Sequence, residues 1–529
     1  MSLFSAQLHP GRALGFFVLG AFLHDVLTRI KAEPQRFPKM EVYQPQDPVK
    51  EGVLIGLPAN GIRLRFDGPE QRLRLVEVLD FTKNHIFLKP ADGKERDLVR
   101  PPSTIQGASS TADPVPGPTF RHIYQRFLGP TYDGEYIPNT ENDDRNGAGT
   151  YVLSYPGVGF IFPMKKQDYR PEKDVVSLLH SSAVPVAMAV FSGDSWAQAR
   201  ETLWTEVLPS IKTFPPLAKG KDVVPDEVSL VKLHGGGKLQ LFRKWTSNSF
   251  WITLGDTTPQ DLVAELGPPD AIYRKNDQRM YIHKLRAASN TAGIRPNGND
   301  LKRQDDLTDT DQSSHPASDE CESNDNDDDD DEAVEDDDIA HVSSECFYNY
   351  FYMGFDILVS TPTAPSRIPP SREANPNPDI PEYPYKSKHA DRLVATKVIL
   401  HGNVPGSYPF NRHRRCRWEI AYLDRPADNE INSETPFPEI EEALREEWKS
   451  IYASEADAKQ KQRGMVLNRG WGDSPGSSCE LLGGWEESGG TNPAVGRNGG
   501  LDSTTTLYGF PGLVFEVLKN GYVSSVTVF

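Results

Sequence analysis
One short pattern constrains this chain more than any other, because it occurs four times in the same setting. Gly61-Ile62-Arg63-Leu64-Arg65-Phe66, Gly157-Val158-Gly159-Phe160-Ile161-Phe162, Gly354-Phe355-Asp356-Ile357-Leu358-Val359 and Gly512-Leu513-Val514-Phe515-Glu516-Val517 each read as Gly, apolar, any, apolar, any, apolar. Strand side chains alternate with period two, so each copy predicts a strand with one buried face. Each is followed by a second apolar run: Leu73–Leu79, Val184–Phe191, Leu393–Leu400 and Val523–Val528. The last pair is joined through Asn520-Gly521, a hairpin signal, since both residues tolerate positive φ.

A helical candidate precedes each pair: Phe22–Ile30, Phe120–Phe127, Pro259–Leu266 and Glu439–Trp448. Two of them stop at Leu-Gly-Pro, at 128–130 and 266–268, where Gly supplies a left-handed cap and Pro cannot continue the helix. The recurrence predicts an α+β protein built of tandem repeats. Each repeat is a helix plus an antiparallel sheet, and four diverged units fall in two lobes. The N-terminal lobe is expected over 1–215, with units 12–82 and 119–191. The C-terminal lobe is expected over 228–529, with units 249–422 and 437–529. A further helix is expected at Trp196–Leu208. Strands are expected at Lys238–Phe242, Ser249–Leu254, Ala271–Tyr273, Arg279–Lys284 and Arg415–Tyr422.

The formal net charge of −18 is local. Residues 301–338 hold 18 acids against Lys302 and Arg303, a net of −16, which leaves −2 for everything else. The surrounding stretch 286–343 cannot bury enough apolar surface to offset chain entropy and is expected to be a disordered insertion. Residues 361–390 are expected to form a Pro-rich loop and 453–502 a low-complexity loop. Four cysteines, Cys321, Cys346, Cys416 and Cys479, form no framework, which fits a reducing compartment. Ala13–Leu23 is apolar but too short to span a bilayer and lacks a signal-peptide cleavage site. It is expected to be a buried strand leading into the first helix.

Hydrolase chemistry is the enzyme class to test. His234-Gly235-Gly236-Gly237 has the look of an oxyanion loop, and Gly472-Asp473-Ser474-Pro475-Gly476 matches G-x-S-x-G. No histidine follows Ser474, however, and Pro475 removes the amide that would face the oxyanion. Phosphate-loop, dinucleotide and zinc-finger spacings are absent, so no catalytic, cofactor or metal residue is assigned. The densest basic cluster is Arg412-His413-Arg414-Arg415-Cys416-Arg417. Its alternation predicts a strand with Cys416, Trp418, Ile420 and Tyr422 inward and the arginines solvated. The functional reading of Arg412, Arg414, Arg415 and Arg417 is a contact for a phosphate, a lipid headgroup or an acidic partner. Nucleic acid is not expected, with a pI near 5.2 and no aromatics interleaved with the arginines on one face.

Gly61–Leu79 with Asp80-Phe81-Thr82-Lys83 resembles a sequence block of the phagosome assembly factor family. So do Thr253–Gly267, Cys346–Val359, Phe510–Val528 and Ala395–Cys416, the last with His401, Pro405-Gly406, Tyr408, Phe410-Asn411 and Arg415-Cys416. The blocks run in order from the first unit to the C-terminus. The resemblance implies a non-enzymatic scaffold of autophagy acting with a WD-repeat propeller protein. It implies a cytoplasmic protein recruited to the phagophore assembly site, whose phosphoinositide association is indirect. Direct headgroup binding, or a Golgi trafficking adaptor, is the alternative. The resemblance brings no catalytic residue and no cofactor.

Overall fold
The computed structural model describes residues 3–99, 117–138, 148–208, 227–274, 345–361, 392–468 and 504–529, apart from 44, 91–92, 132–133, 424 and 427–428. Strand β1 (Phe4–His9) opens the chain, and β2 (Ala13–Leu14) and β3 (Phe17–Val18) fold back on it. The apolar stretch expected as one strand is therefore two, because Gly15 takes φ +59° and reverses the chain between them. The helix Leu23–Ala32 follows and buries Leu23, Val26, Leu27 and Ile30, the one-face spacing of an amphipathic helix. An antiparallel meander comes next: β4 (Glu41–Tyr43), β5 (Val53–Leu57), β6 (Ile62–Phe66) and β7 (Leu73–Val78). Strand β8 (Asn84–Leu88) returns parallel to β1, and β9 (Arg96–Asp97) lies beyond it.

The second unit repeats the theme. A helical turn over 120–127 leads to β10 (Gly134–Pro138), β11 (Ala148–Tyr155), β12 (Val158–Lys165) and β13 (Ala187–Val190). The two meanders join through their last strands, β13 against β7, with Met188 opposite Val78 and Val190 opposite Val76. The result is one eight-stranded sheet, ordered β10-β11-β12-β13-β7-β6-β5-β4. The helix expected at 196–208 stops at Thr202.

The C-terminal lobe follows the same order of elements. Three strands, β14 (Val228–Leu233), β15 (Lys238–Arg243) and β16 (Ser249–Thr253), precede the helix Pro259–Leu266. That helix carries a capping box between Thr258 and Asp261. Its meander is β17 (Ala271–Arg274), β18 (Cys346–Tyr350), β19 (Phe355–Ser360) and β20 (Val394–His401). Strand β21 (Trp418–Ile420) returns parallel to β14, as β8 does to β1. The helix Phe437–Glu447 precedes β22 (Met465–Asn468), β23 (Thr504–Phe510), β24 (Leu513–Leu518) and β25 (Val523–Val528). Again the last strands join, Val398 opposite Val528 and Leu400 opposite Val526. The fold is thus α+β, with four helix-plus-antiparallel-sheet units in two lobes, each lobe with its own core.

Two further local expectations change. The strand expected over 415–422 is three residues long, Trp418–Ile420. The loop expected from 453 begins with the helix Glu455–Lys461 and strand β22; their mostly exposed side chains leave little apolar periodicity to read. The strand expected at Arg279–Lys284, the acidic insertion 286–343, the Pro-rich stretch beyond 361, and 469–502 lie outside the described residues.

The repeated glycine has a single explanation. Gly61, Gly157, Gly354 and Gly512 sit at φ +59°, +76°, +83° and +75°, each at the turn into the third strand of its meander. A Cβ on Gly157 would stand 1.9 Å from the Gly11 nitrogen, backbone against backbone. Gly157→Ala is therefore expected to cost at least about 2 kcal/mol, as backbone strain adds to the clash. A Cβ on Gly512 meets only the Phe529 carbonyl oxygen, at 3.6 Å. Gly512→Ala should cost the backbone part alone, about 1–2 kcal/mol. Urea unfolding of the two variants checks the contrast.

Candidate functional site
The lobes meet along a seam built from three pieces. One is the β6–β7 turn, residues 67–72, together with the start of the first helix. The second is the crossing segment between β20 and β21, residues 402–417. The third is the entry to the second lobe around Glu227 and Lys244. Non-glycine residues with positive φ, among the described residues, are Gln71 (+53°), Asn403 (+44°) and Asn411 (+62°), and all three lie in this seam. Such strain persists only where surroundings fix it and gathers at functional sites.

Gln71 and Asn403 exchange hydrogen bonds across the seam. Gln71 Nε2 donates to the Asn403 carbonyl, and Asn403 Nδ2 donates to Gln71 Oε1, both at 2.8 Å. The Asn411 amide donates to Asn403 Oδ1 at 2.7 Å, and the Leu23 amide donates to the Gln71 carbonyl at 2.8 Å. One amide pair thus links the crossing segment of one lobe to the helix start of the other. Phe410, from the same segment, packs into the core of the first lobe.

Charged pairs reinforce the seam. Arg72 Nη2 lies 2.9 Å from Glu227 Oε2, with both side chains under 9% exposed. Arg72 also donates to Glu70 and to the Gly20 carbonyl, and its guanidinium covers the Phe22 ring at 4.0 Å. Lys244 of the second lobe donates to Glu70 of the first at 2.8 Å. Arg414 grips Asp25 with two bonds, Nε to Oδ1 at 2.9 Å and Nη2 to Oδ2 at 2.6 Å. Burial is the largest influence on Asp25 and opposes its ionisation, but the Arg414 charge together with hydrogen bonds from His24 and Arg414 outweighs it and holds the carboxyl below its ordinary range.

The arginines expected to form a solvated face are therefore placed differently. Arg414 faces Asp25. Arg415 is buried and donates to the carbonyls of Gly402 and Ser433 and, at 3.4 Å, to Glu434. Arg417 chelates Glu434 at 3.0 and 3.2 Å. Arg412 lies over the Tyr408 ring at 4.9 Å. The alternation does put Cys416, Trp418 and Ile420 in the core. It says nothing of what covers the other face, and here that face is covered by carboxylates and carbonyls of the protein itself. A headgroup on this cluster would have to displace Asp25 and Glu434. Gly354 explains the close approach: its Cβ would stand 2.5 Å from the Arg414 carbonyl oxygen.

Beside the seam, Asp356 on β19 faces two histidines. His401 Nε2 is 2.9 Å from Oδ2 and His413 Nε2 is 3.3 Å from Oδ1, while Asn349 Nδ2 donates to Oδ1 at 2.9 Å. The imidazoles stack with centroids 3.8 Å apart and planes 10° from parallel. Burial opposes charge on Asp356, yet the two imidazoles hold its carboxyl well below the usual range. Burial, with His401 beside it, pushes His413 down to about 4, so it is neutral at pH 7.

The glycine-rich loop Gly235-Gly236-Gly237 is the hairpin turn between β14 and β15, with all three residues at positive φ. That role accounts for its composition without an oxyanion. Residues 472–476 lie outside the described residues. No helix among the described residues is long and apolar enough to cross a membrane.

Nothing in the sequence points to Gln71, Asn403, Asp25 and Glu227 as seam residues, or to Glu434 as the partner of Arg415 and Arg417. Asn at a left-handed position is the one signal they offer, and it is local to Asn403 and Asn411.

Comparison with known proteins agrees with the blocks that converge here. The family described as Phagosome assembly factor 1 matches residues 13–92, 105–298 and 387–529. A PHAF1 protein of Arabidopsis thaliana is 25% identical over 532 residues, covering 99% of this chain and 92% of its own length. PHAF1 proteins of Drosophila melanogaster and Caenorhabditis elegans are each 21% identical over 536 residues, covering 97% of this chain and 90% of their own lengths. No solved structure matches. With most of both lobes and the residues of the seam between them inside the matched stretches, the chain is a member of the phagosome assembly factor 1 family.

Proposed function
We propose that the chain is a non-enzymatic scaffold of autophagy, acting with a WD-repeat propeller protein at the phagophore assembly site. The observation that carries the proposal is family membership across both lobes. A second observation favours a protein partner over a lipid. The outer strands of the second lobe's eight-stranded sheet are β17 and β22. On β17, Ile272 and Tyr273 are 56% and 57% exposed; on β22, Met465 and Val466 are 65% and 67% exposed. Neighbours in sequence point to opposite faces, so both faces of each edge are bare. Edge strands are usually blunted by charge, and an open apolar edge is a template for another backbone. Headgroup binding by Arg412, Arg414, Arg415 and Arg417 is less well supported, because internal carboxylates hold Arg414, Arg415 and Arg417. Association with phosphoinositides then comes through the partner, in a cytoplasmic protein recruited to the membrane. A Golgi adaptor is the weaker variant.

The test is affinity capture from cell extract with the full chain and with the double variant Met465→Lys/Val466→Lys. The full chain is expected to recover a WD-repeat protein. The variant should recover at least tenfold less while its stability changes by no more than about 0.5 kcal/mol. Equal recovery would remove the β22 edge from the interface. No propeller with the wild type, together with direct liposome binding by the purified chain, would favour the lipid module.

A further inference from the structure
We propose that Asp356, His401 and His413 form a binding site for a divalent transition-metal ion of the zinc type, placed to fasten the crossing segment at the seam.

The donor set fits that class. Two imidazole nitrogens and one carboxylate, with one position left for water or another donor, are ligands that zinc and its neighbours take. A ligand atom from each residue lies within 4.8 Å of the others. Bonds of about 2.0–2.1 Å in a tetrahedron put ligand atoms about 3.3 Å apart. The nitrogen-to-oxygen separations are 2.9 Å from His401 to Oδ2 and 3.3 Å from His413 to Oδ1, each to a different carboxylate oxygen. An imidazole holds a metal in its own plane, so an ion enters by turning the two stacked rings toward one shared point beside Asp356.

His413 is the observation that asks for a ligand. It is 8% exposed, and among the described residues neither ring nitrogen makes a hydrogen bond of good geometry; Nε2 approaches Asp356 only at the ion-pair distance of 3.3 Å. A buried polar group without a partner is costly, and native proteins rarely keep one. Asn349 adds to this. Its Nδ2 steadies Asp356, as an outer group steadies a ligating carboxylate, while its own Oδ1 is buried without a partner among the described residues. A single dication would be shared by both rings and the carboxylate. His401 is half-buried, which leaves a path in.

The consequence is structural. His401 ends β20, His413 lies in the crossing segment, and Asp356 lies on β19. An ion there would tie the crossing segment to the sheet one residue before Arg414, which pairs with Asp25 of the other lobe.

The test uses the full chain, stripped with chelator and then titrated with Zn²⁺ at pH 7.5 by calorimetry and thermal melting, with Co²⁺ absorption as a second readout. One equivalent is expected to bind at the cluster, and the melting temperature should rise with free Zn²⁺, as it does for any ligand of the native state. His401→Gln and Asp356→Asn should each weaken binding at least tenfold. Should Asp356→Asn fail to fold, His401→Gln decides, because its side chain is partly solvated. The control is His85→Gln, from a more exposed group of His85, Glu95 and Asp97 on the other lobe. It should bind as the wild type does. A melting temperature indifferent to Zn²⁺ would overturn the proposal. So would undiminished binding by His401→Gln, or loss of binding in His85→Gln.

Discussion

Arg72→Met is expected to destabilise the protein by about 3–5 kcal/mol, the usual cost of leaving a buried charge without its partner. Arg72 sits between Glu70, Glu227, the Gly20 carbonyl and the Phe22 ring. Removing it leaves Glu70 with Lys244, so that carboxylate keeps a cation. Among the described residues, the Glu227 carboxylate keeps only the Trp245 Nε1 donor at 3.2 Å, and Glu227 is 7% exposed. The penalty therefore falls on Glu227. Adding Glu227→Gln removes the stranded charge and is expected to recover most of the loss. A double-mutant cycle by urea unfolding, with coupling of at least about 2 kcal/mol, checks it; additive effects would show that the pair contributes little.

Asn403→Ala is the second large effect, at about 3 kcal/mol or more. Three terms add. Gln71 Oε1, in a side chain 1% exposed, loses its donor. The Asn411 amide loses its acceptor. Each orphaned group costs about 1–3 kcal/mol. The backbone at φ +44° also suits Asn better than Ala, by about 1–2 kcal/mol at most. Asn403→Gly removes the backbone term alone, so it should be the milder variant although its side chain is smaller. Were Gly the worse of the two, the left-handed backbone at 403 would not contribute to the effect.

These two sites show what a sequence carries and what it does not. The four units were legible because each needs a glycine at positive φ before its third strand, and because the apolar alternation after it is local. The helices before them were legible for the same reason; Thr258, Pro259 and Asp261 are start signals within one turn. The parallel pairing of β1 with β8 and of β14 with β21 was not legible. Each joins strands about 80 and 190 residues apart through backbone bonds that leave no residue pattern. The basic cluster shows the same limit at side-chain level. Its period gave the inward residues correctly, but the partners of the arginines, Asp25 and Glu434, come from other elements. Gln71 and Asn403 stood in separate stretches, 332 residues apart. Nothing local marks them as partners; only the folded seam does.

The central claim is that the seam makes two lobes into one cooperative body. Scanning calorimetry of the full chain tests it most directly. The wild type is expected to unfold in one transition whose calorimetric and van't Hoff enthalpies agree, and Arg72→Met/Asn403→Ala in two separated transitions. A wild type that already melts in two independent steps, unchanged in the variant, would contradict it.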